Sequence, residues 1–303
     1  MVMRVFILFV LSVFMATSLS SKIHYTGKEK VSLINTIETK NSFISYVMIN
    51  GYRYLLKQKK EPNKQLAVVR DALSAYIAKD LKIAHQVDIV ESKRKIPGKI
   101  KVTWPATLHT IVPGETVRKQ RDSKYNALRL RQFWAQTQSY SEKGLTRLIL
   151  KYMTWHRQLP EIIALDLMIG NSDRHCGNLC YDSSTDRFWA IDMDDTFNKD
   201  LCFLACKKLK LMTKAGNDPF SQEELKALAS MRNTLYFLVR KYPPSDLIKH
   251  LHVFAKKAGF IEGNAIYTDK VRKKLLYYEK TIRKSHTSAY QLISLLDKIV
   301  GQN

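Results

Sequence analysis

Three residues, Asp173, Asn178 and Asp192, have the types and spacing to do chemistry together. The first two lie in Gly170-Asn-Ser-Asp-Arg-His-Cys-Gly-Asn178, and the third closes Ala190-Ile-Asp192. Between them the sequence predicts a hairpin, Leu179 to Tyr181 paired with Phe188 to Ile191 around a turn at 182–186. A tight hairpin returns the chain to where it started, so the three polar side chains meet. Two carboxylates and an amide oxygen form a hard-oxygen site for a divalent cation. Phosphoryl transfer asks a protein mainly for positioning and charge neutralisation, and this set supplies both. In that chemistry Asp173 accepts or orients the proton of an acceptor hydroxyl. Lys57, at the end of a strand, reaches nucleotide phosphates as a point charge, with Lys59 or Lys60 taking its place if the register slips. Asp194 and Asp195 either cap the next segment or contribute to a second metal position.

The order Asp, four residues, Asn, hairpin, Asp is also that of protein kinases, but here the flanking residues read Asp-Arg-His rather than His-Arg-Asp. In this the sequence resembles the phosphatidylinositol 3/4-kinase-like superfamily, which includes lipid kinases, related protein kinases and the HipA-like bacterial kinases. The segment Gly170 to Asn178 looks like that superfamily's catalytic loop, and Ala190-Ile-Asp192 looks like its metal-binding motif. The resemblance implies Asp173 as catalytic group, Arg174 and His175 as organisers of the loop, and Asn178 and Asp192 as magnesium ligands. It implies that Tyr54-Leu-Leu-Lys57 carries the ATP-phosphate lysine and that Asp71 is the acid pairing with it. The segment Ala106 to Gly114, with His109 and Ile111, looks like the strand and hinge that receive adenine. Three departures stand out: Asp71 is shorter than the usual Glu, Asp194 replaces a glycine, and no Gly-rich phosphate loop is visible. The expected function is an ATP- and magnesium-dependent kinase acting on a phosphoinositide or protein hydroxyl, and the departures leave room for the alternative of a pseudokinase, or a module that binds nucleotide or anionic membrane without catalysis.

The elements that must position these residues are legible in pattern. From Ser42 to Lys60, β-forming residues flank Asn50-Gly51, the preferred two-residue hairpin turn. Pro62-Asn63 then breaks the strand, and Leu66, Val69, Leu73, Tyr76, Ile77 and Leu81 recur at helical spacing within 65–83. Strands are predicted at 87–90 and 107–112. After Pro113-Gly114 the pattern turns helical, at 125–138, 144–156 and 161–169. Ser221-Gln-Glu-Glu224 is a capping box opening another helix, and 246–258 and 269–300 read as helices. The expected fold class is α+β, a two-lobed protein-kinase-like fold with a small β-rich N-lobe over 22–114 and a mainly helical C-lobe with a helical C-terminal extension over 115–303. An irregular polar centre is expected between Gly170 and Pro219.

Fifty Lys and Arg against 27 Asp and Glu give a net charge of +23 over 303 residues, and 45% of residues are hydrophobic. Wholesale disorder is excluded, and the surface seeks anions. Expected partners are ATP, a phosphoinositide or protein acceptor, and an anionic membrane surface. Specific nucleic-acid binding is not expected, because aromatic and basic residues are not interleaved in a base-reading pattern. The basic stretch Lys199 to Lys214 reads either as a substrate-recognition segment or as a solvated loop. Lys270, Arg272, Lys273, Lys274, Lys280, Arg283 and Lys284 read as a solvated helical face. The N-terminus reads as a signal peptide over 1–21, so a secreted or exported protein is expected, acting in a host cell or at a membrane surface. Cys176, Cys180, Cys202 and Cys206 form two C-x3-C pairs, too few for a disulfide scaffold. They are expected as partly buried small side chains, with a zinc site, and His175 as its spare ligand, the sharper rival.

Overall fold

The computed structural model describes residues 31–39, 41–60, 65–94, 102–117, 150, 152–214, 220–262, 265–266 and 268–301. The expected leader over 1–21, the helix at 125–138 and most of that at 144–156 lie outside them. A five-stranded antiparallel sheet comes first, in the order β1-β2-β3-β5-β4. Its strands are β1 (Val31–Glu38), β2 (Ser42–Ile49), β3 (Tyr52–Lys59), β4 (Val87–Arg94) and β5 (Val102–Thr110). The β2–β3 turn puts both Asn50 (φ 52°) and Gly51 (φ 82°) in the left-handed region, the backbone that a two-residue hairpin demands and that Asn-Gly tolerates. Val47, Ile49, Tyr54, Val90, Ala106 and Leu108 form a small apolar cluster within the sheet.

Helix α1 (Leu66–Ala78) follows the hairpin, with Val69, Leu73 and Ile77 fully buried at spacings of four. Its apolar stripe joins the main core rather than the sheet's own cluster, which ties the first lobe to the second. That core is built by α2 (Leu159–Ile169), α3 (Leu201–Lys214), α4 (Gln222–Lys241), α5 (Pro244–Lys257) and α6 (Asp269–Gly301). The capping box forms: Glu224 N–H donates to Ser221 Oγ at 3.2 Å, and Ser221 N–H to Glu224 Oε2 at 2.8 Å. Between α2 and α3 lies the hairpin of β7 (Leu179–Asp182) and β8 (Arg187–Ala190), and the short strand β6 (Glu115–Thr116), which precedes α2 in the chain, pairs with β7. Ala190 bridges to Ala84, so the hairpin also touches the segment entering β4. The chain thus has a β-sheet N-terminal part and a mainly helical C-terminal part, an α+β fold.

One expectation needs correction, and one strand had drawn none. The stretch 199–214 is not a loop: from Leu201 it is the 14-residue helix α3, with Leu201, Cys202, Ala205, Cys206 and Leu209 buried on one face. Its lysines obscured a three–four apolar spacing. Strand β1 carried no signal because its residues are mostly exposed, so nothing imposes alternation. All four cysteines are free and buried, and among the described residues they gather no metal-binding group.

Candidate phosphoryl-transfer site

Helix α2 is apolar except at Glu161 and Asp166, and it ends at Gly170 in the left-handed region (φ 63°). A side chain at Gly170 would collide with the Lys199 carbonyl oxygen, so glycine is required there for space as well as conformation. The turn releases the chain into the 171–178 loop, and Asp166 organises it from below. Asp166 accepts two hydrogen bonds from Arg174, Nε to Oδ2 at 3.0 Å and Nη2 to Oδ1 at 2.9 Å, and one from Asn171 Nδ2 at 2.8 Å. The ion pair has no solvent exposure on either side chain. The remaining arm of Arg174 donates to the carbonyl oxygens of Ile191, at 2.9 Å, and Asn178. One guanidinium therefore clamps the helix end, the loop and the segment leading into Asp192. Asp166 was missed in the sequence, although a carboxylate inside an apolar helix is a signal that a buried cation waits for it.

On this platform Asp173 is half exposed. Asn178 donates through Nδ2 to the Asp173 carbonyl oxygen at 2.9 Å and to Asp173 Oδ2 at 3.3 Å, and its own N–H bonds the His175 carbonyl. His175 accepts from the Gly177 N–H at 2.9 Å and stands 4.0 Å from Asp173 Oδ2. Burial raises the Asp173 carboxyl above its ordinary value, and the nearby Asp192 and Asp195 carboxylates push the same way. Asp192 itself has a positive φ of 54°, a strained backbone for a residue with a side chain. The structure thus brings Asp173, Asn178 and Asp192 together around the hairpin.

Lys57 arrives from β3 and is buried. Its ammonium pairs with Asp192 Oδ1 and, at 2.6 Å, with Asp194 Oδ2, which Lys59 also contacts. Burial alone would lower the Lys57 pKa, but Asp192 and Asp194 outweigh it and hold the group charged. Burial would likewise raise Asp194, yet Lys57 and Lys59 keep it well below the usual carboxylate range. Asp71, expected as the partner of Lys57, makes no ion pair with it: Asp71 Oδ2 faces His109 Nε2 at 3.3 Å and Thr107 Oγ1 at 3.4 Å. Burial pushes its carboxyl up to about 6, against the pull of Lys57 and His85. His109 is not open to a base either. Its ring nitrogens meet His85 Nε2 at 2.6 Å and Thr107 Oγ1 at 2.7 Å, because the β5 pleat turns this side chain inward. Ile111 lies exposed just past β5.

Asp173, Asp194 and Asp195 line a cleft of about 1540 Å³. Its far wall belongs to α5 and α6, which contribute Lys257, Lys270, Lys273 and Lys274. Three lysines expected on a solvated face therefore border the acidic centre. The hard-oxygen donors Asp192 and Asn178 suit magnesium.

The sequence model of the phosphatidylinositol 3- and 4-kinase family matches residues 47–243. No curated protein matches this chain. Among solved structures, the proinflammatory kinase CtkA of Helicobacter pylori is similar at 13% identity and a TM-score of 0.46, over 87% of this chain and 96% of that one. With more than half of its length matched and the expected loop and hairpin inside the match, the chain belongs to the phosphatidylinositol 3- and 4-kinase family of kinase-type phosphotransferases.

Proposed function

We propose that the chain transfers the γ-phosphate of ATP, in the presence of Mg2+, to a hydroxyl of a phosphoinositide lipid or a protein. The observation that carries this reading is the convergence of Asp173, Asn178 and Asp192 around one hairpin, beside a cleft that Asp173 lines, with Lys57 reaching Asp192 from the other lobe. Magnesium, when bound, would neutralise charge on the transferring phosphoryl group, and Asp192 and Asn178 would hold it. Asp173 accepts or orients the acceptor proton, and a raised pKa brings its basicity closer to that task. Arg174 keeps the loop in place without touching substrate. Lys57 exchanges its carboxylate partners for nucleotide phosphate, a charge-assisted contact of the same kind. The lysines of the far wall favour an anionic acceptor or one presented at an anionic membrane surface. The leader-like N-terminus supports export, so the acceptor would lie in a host cell or an ATP-supplied compartment.

The test is transfer of radiolabelled γ-phosphate to phosphoinositides and to protein acceptors, with Asp173→Ala as control. Transfer that survives this substitution undiminished would remove Asp173 from the reaction. One observation favours the second reading, a nucleotide-binding module without catalysis: Asp194 stands where the family often has glycine and occupies Lys57. Thermal shift with ATP and magnesium, run beside the transfer assay, separates binding without transfer from both.

A further inference from the structure

We infer that Asp71, His85 and His109 form a metal site for a zinc-type cation, buried where α1 packs on β4 and β5. The three residues come from α1, from the segment entering β4 and from β5. One ligand atom of each lies within 4.8 Å of the others. Their exposures are 1%, 5% and 5%, so water is not the ready alternative partner it would be at the surface. Two features show the cluster to be incomplete. Asp71 Oδ1 is buried without a hydrogen-bond partner, and an orphaned polar atom of this kind is costly enough to be rare. The facing nitrogens of His85 and His109, 2.6 Å apart, have to share a proton between them. A cation replaces that proton and gives the unpartnered carboxylate oxygen a counter-charge.

The donor set decides the kind of metal. Two imidazoles and one carboxylate are a borderline-soft set, which takes zinc and its transition-metal neighbours, whereas magnesium keeps to oxygen. Two nitrogens on one tetrahedral zinc at about 2.0–2.1 Å lie about 3.3 Å apart, so the rings need part by less than about 1 Å. Zinc takes each imidazole in its neutral form, through a ring-nitrogen lone pair. Thr107 Oγ1, 2.7 Å from His109 Nε2, fixes that ring from outside, the usual role of a hydrogen-bond partner behind a ligating histidine. Lys57 lies close enough to oppose a dication here, but it is turned toward Asp192 and Asp194. The site rests on these contacts alone and stands apart from the phosphoryl-transfer reading.

The experiment is zinc binding to the full chain by equilibrium dialysis in excess magnesium, followed by cobalt substitution. About one zinc per chain is expected. Thr107→Val, which keeps a β-branched strand residue and removes no ligand, should weaken zinc by about 10- to 100-fold, and His85→Gln by more. The cobalt form should show ligand-field absorption of a nitrogen and oxygen site, free of a thiolate charge-transfer band. This spectrum reads the unaltered chain, so it decides the matter even where a variant fails to fold. Zinc bound at well under one per chain, zinc affinity unchanged in His85→Gln, or a thiolate band pointing to the cysteines would each overturn the site.

Discussion

The two halves of the candidate site are built on opposite principles. Around Arg174 every arm of the buried guanidinium is engaged, by Asp166, Asn178 and Ile191, and the loop closes on itself through Asn171 and Asn178. Around Lys57 the arrangement is frustrated: one ammonium is shared between two carboxylates, one of those carboxylates is shared with Lys59, and Asp71 has an oxygen with no partner. A saturated network resists rearrangement, because any move leaves a buried charge bare. A frustrated one exchanges partners at little cost. The difference assigns the halves different tasks: the loop holds the reacting groups still, and the lysine side is set to let go of acid and take phosphate.

The largest effect should come from breaking the saturated half. Asp166→Ala leaves Arg174 charged, buried and without its carboxylate, and should cost about 3–5 kcal/mol in denaturant unfolding. The paired change Asp166→Leu with Arg174→Met should recover much of that loss while transfer activity stays low, since the loop loses its clamp. If Asp166→Ala unfolds like the wild type, the contrast between the halves is wrong.

Next in size, Lys57→Met should weaken ATP by about 1.5–3 kcal/mol, the range of a hydrogen bond to a charged group, read as a tenfold or greater rise in Kd. Its effect on stability should be the smaller one, because Asp194 keeps Lys59. Asp194→Gly tests the frustration directly. Freed from one of its two acids, Lys57 should bind nucleotide more tightly, by a few-fold, on the order of 1 kcal/mol. Weaker ATP binding in this variant would mean that Asp194 is a ligand of the bound state and not a competitor.

The same contrast explains what could be read beforehand. The loop was legible because Asp173, Arg174, His175 and Asn178 are adjacent in sequence and Asp192 follows one hairpin later, so their meeting is enforced by local chain geometry. The partners of Lys57 were not, because Asp71, Asp192 and Asp194 all lie within its field and only packing selects among them. His109 was misplaced for a similar reason. Its strand was found, but the face it takes depends on register against β3 and β4, where Leu55 and Val87 stand opposite it. Helix α3 was hidden by its lysines, and β1 by its exposure. For Lys57, His109 and β1 the missing information was tertiary, and for α3 it was local but masked, whereas the hairpins, α1 and the capping box declared themselves through turn chemistry and spacing.

The smallest effect should come from the lobe junction, which is neither saturated nor frustrated and calibrates the other two. Tyr242, at the end of α4, donates its hydroxyl to Asp80 in the turn after α1, and Lys241 pairs with the same carboxylate at 2.9 Å. Burial works to raise the Asp80 carboxyl, but the hydrogen bonds from Tyr242 and Lys241 prevail and lower it from 3.8. A carboxyl whose pKa is lowered by folding contributes stability that is fully present above its unfolded value, near 3.9, and is lost as pH falls through the lowered one. Asp80→Asn should therefore lower stability by at most about 1 kcal/mol at pH 7, since Lys241 is half exposed, and by less at acid pH, where the wild type has given up the same contribution. Unfolding curves at pH 7 and pH 3 measure this. A difference between the two proteins that grows on acidification would mean that Asp80 is held in its protonated form, and that the junction resembles the frustrated half after all.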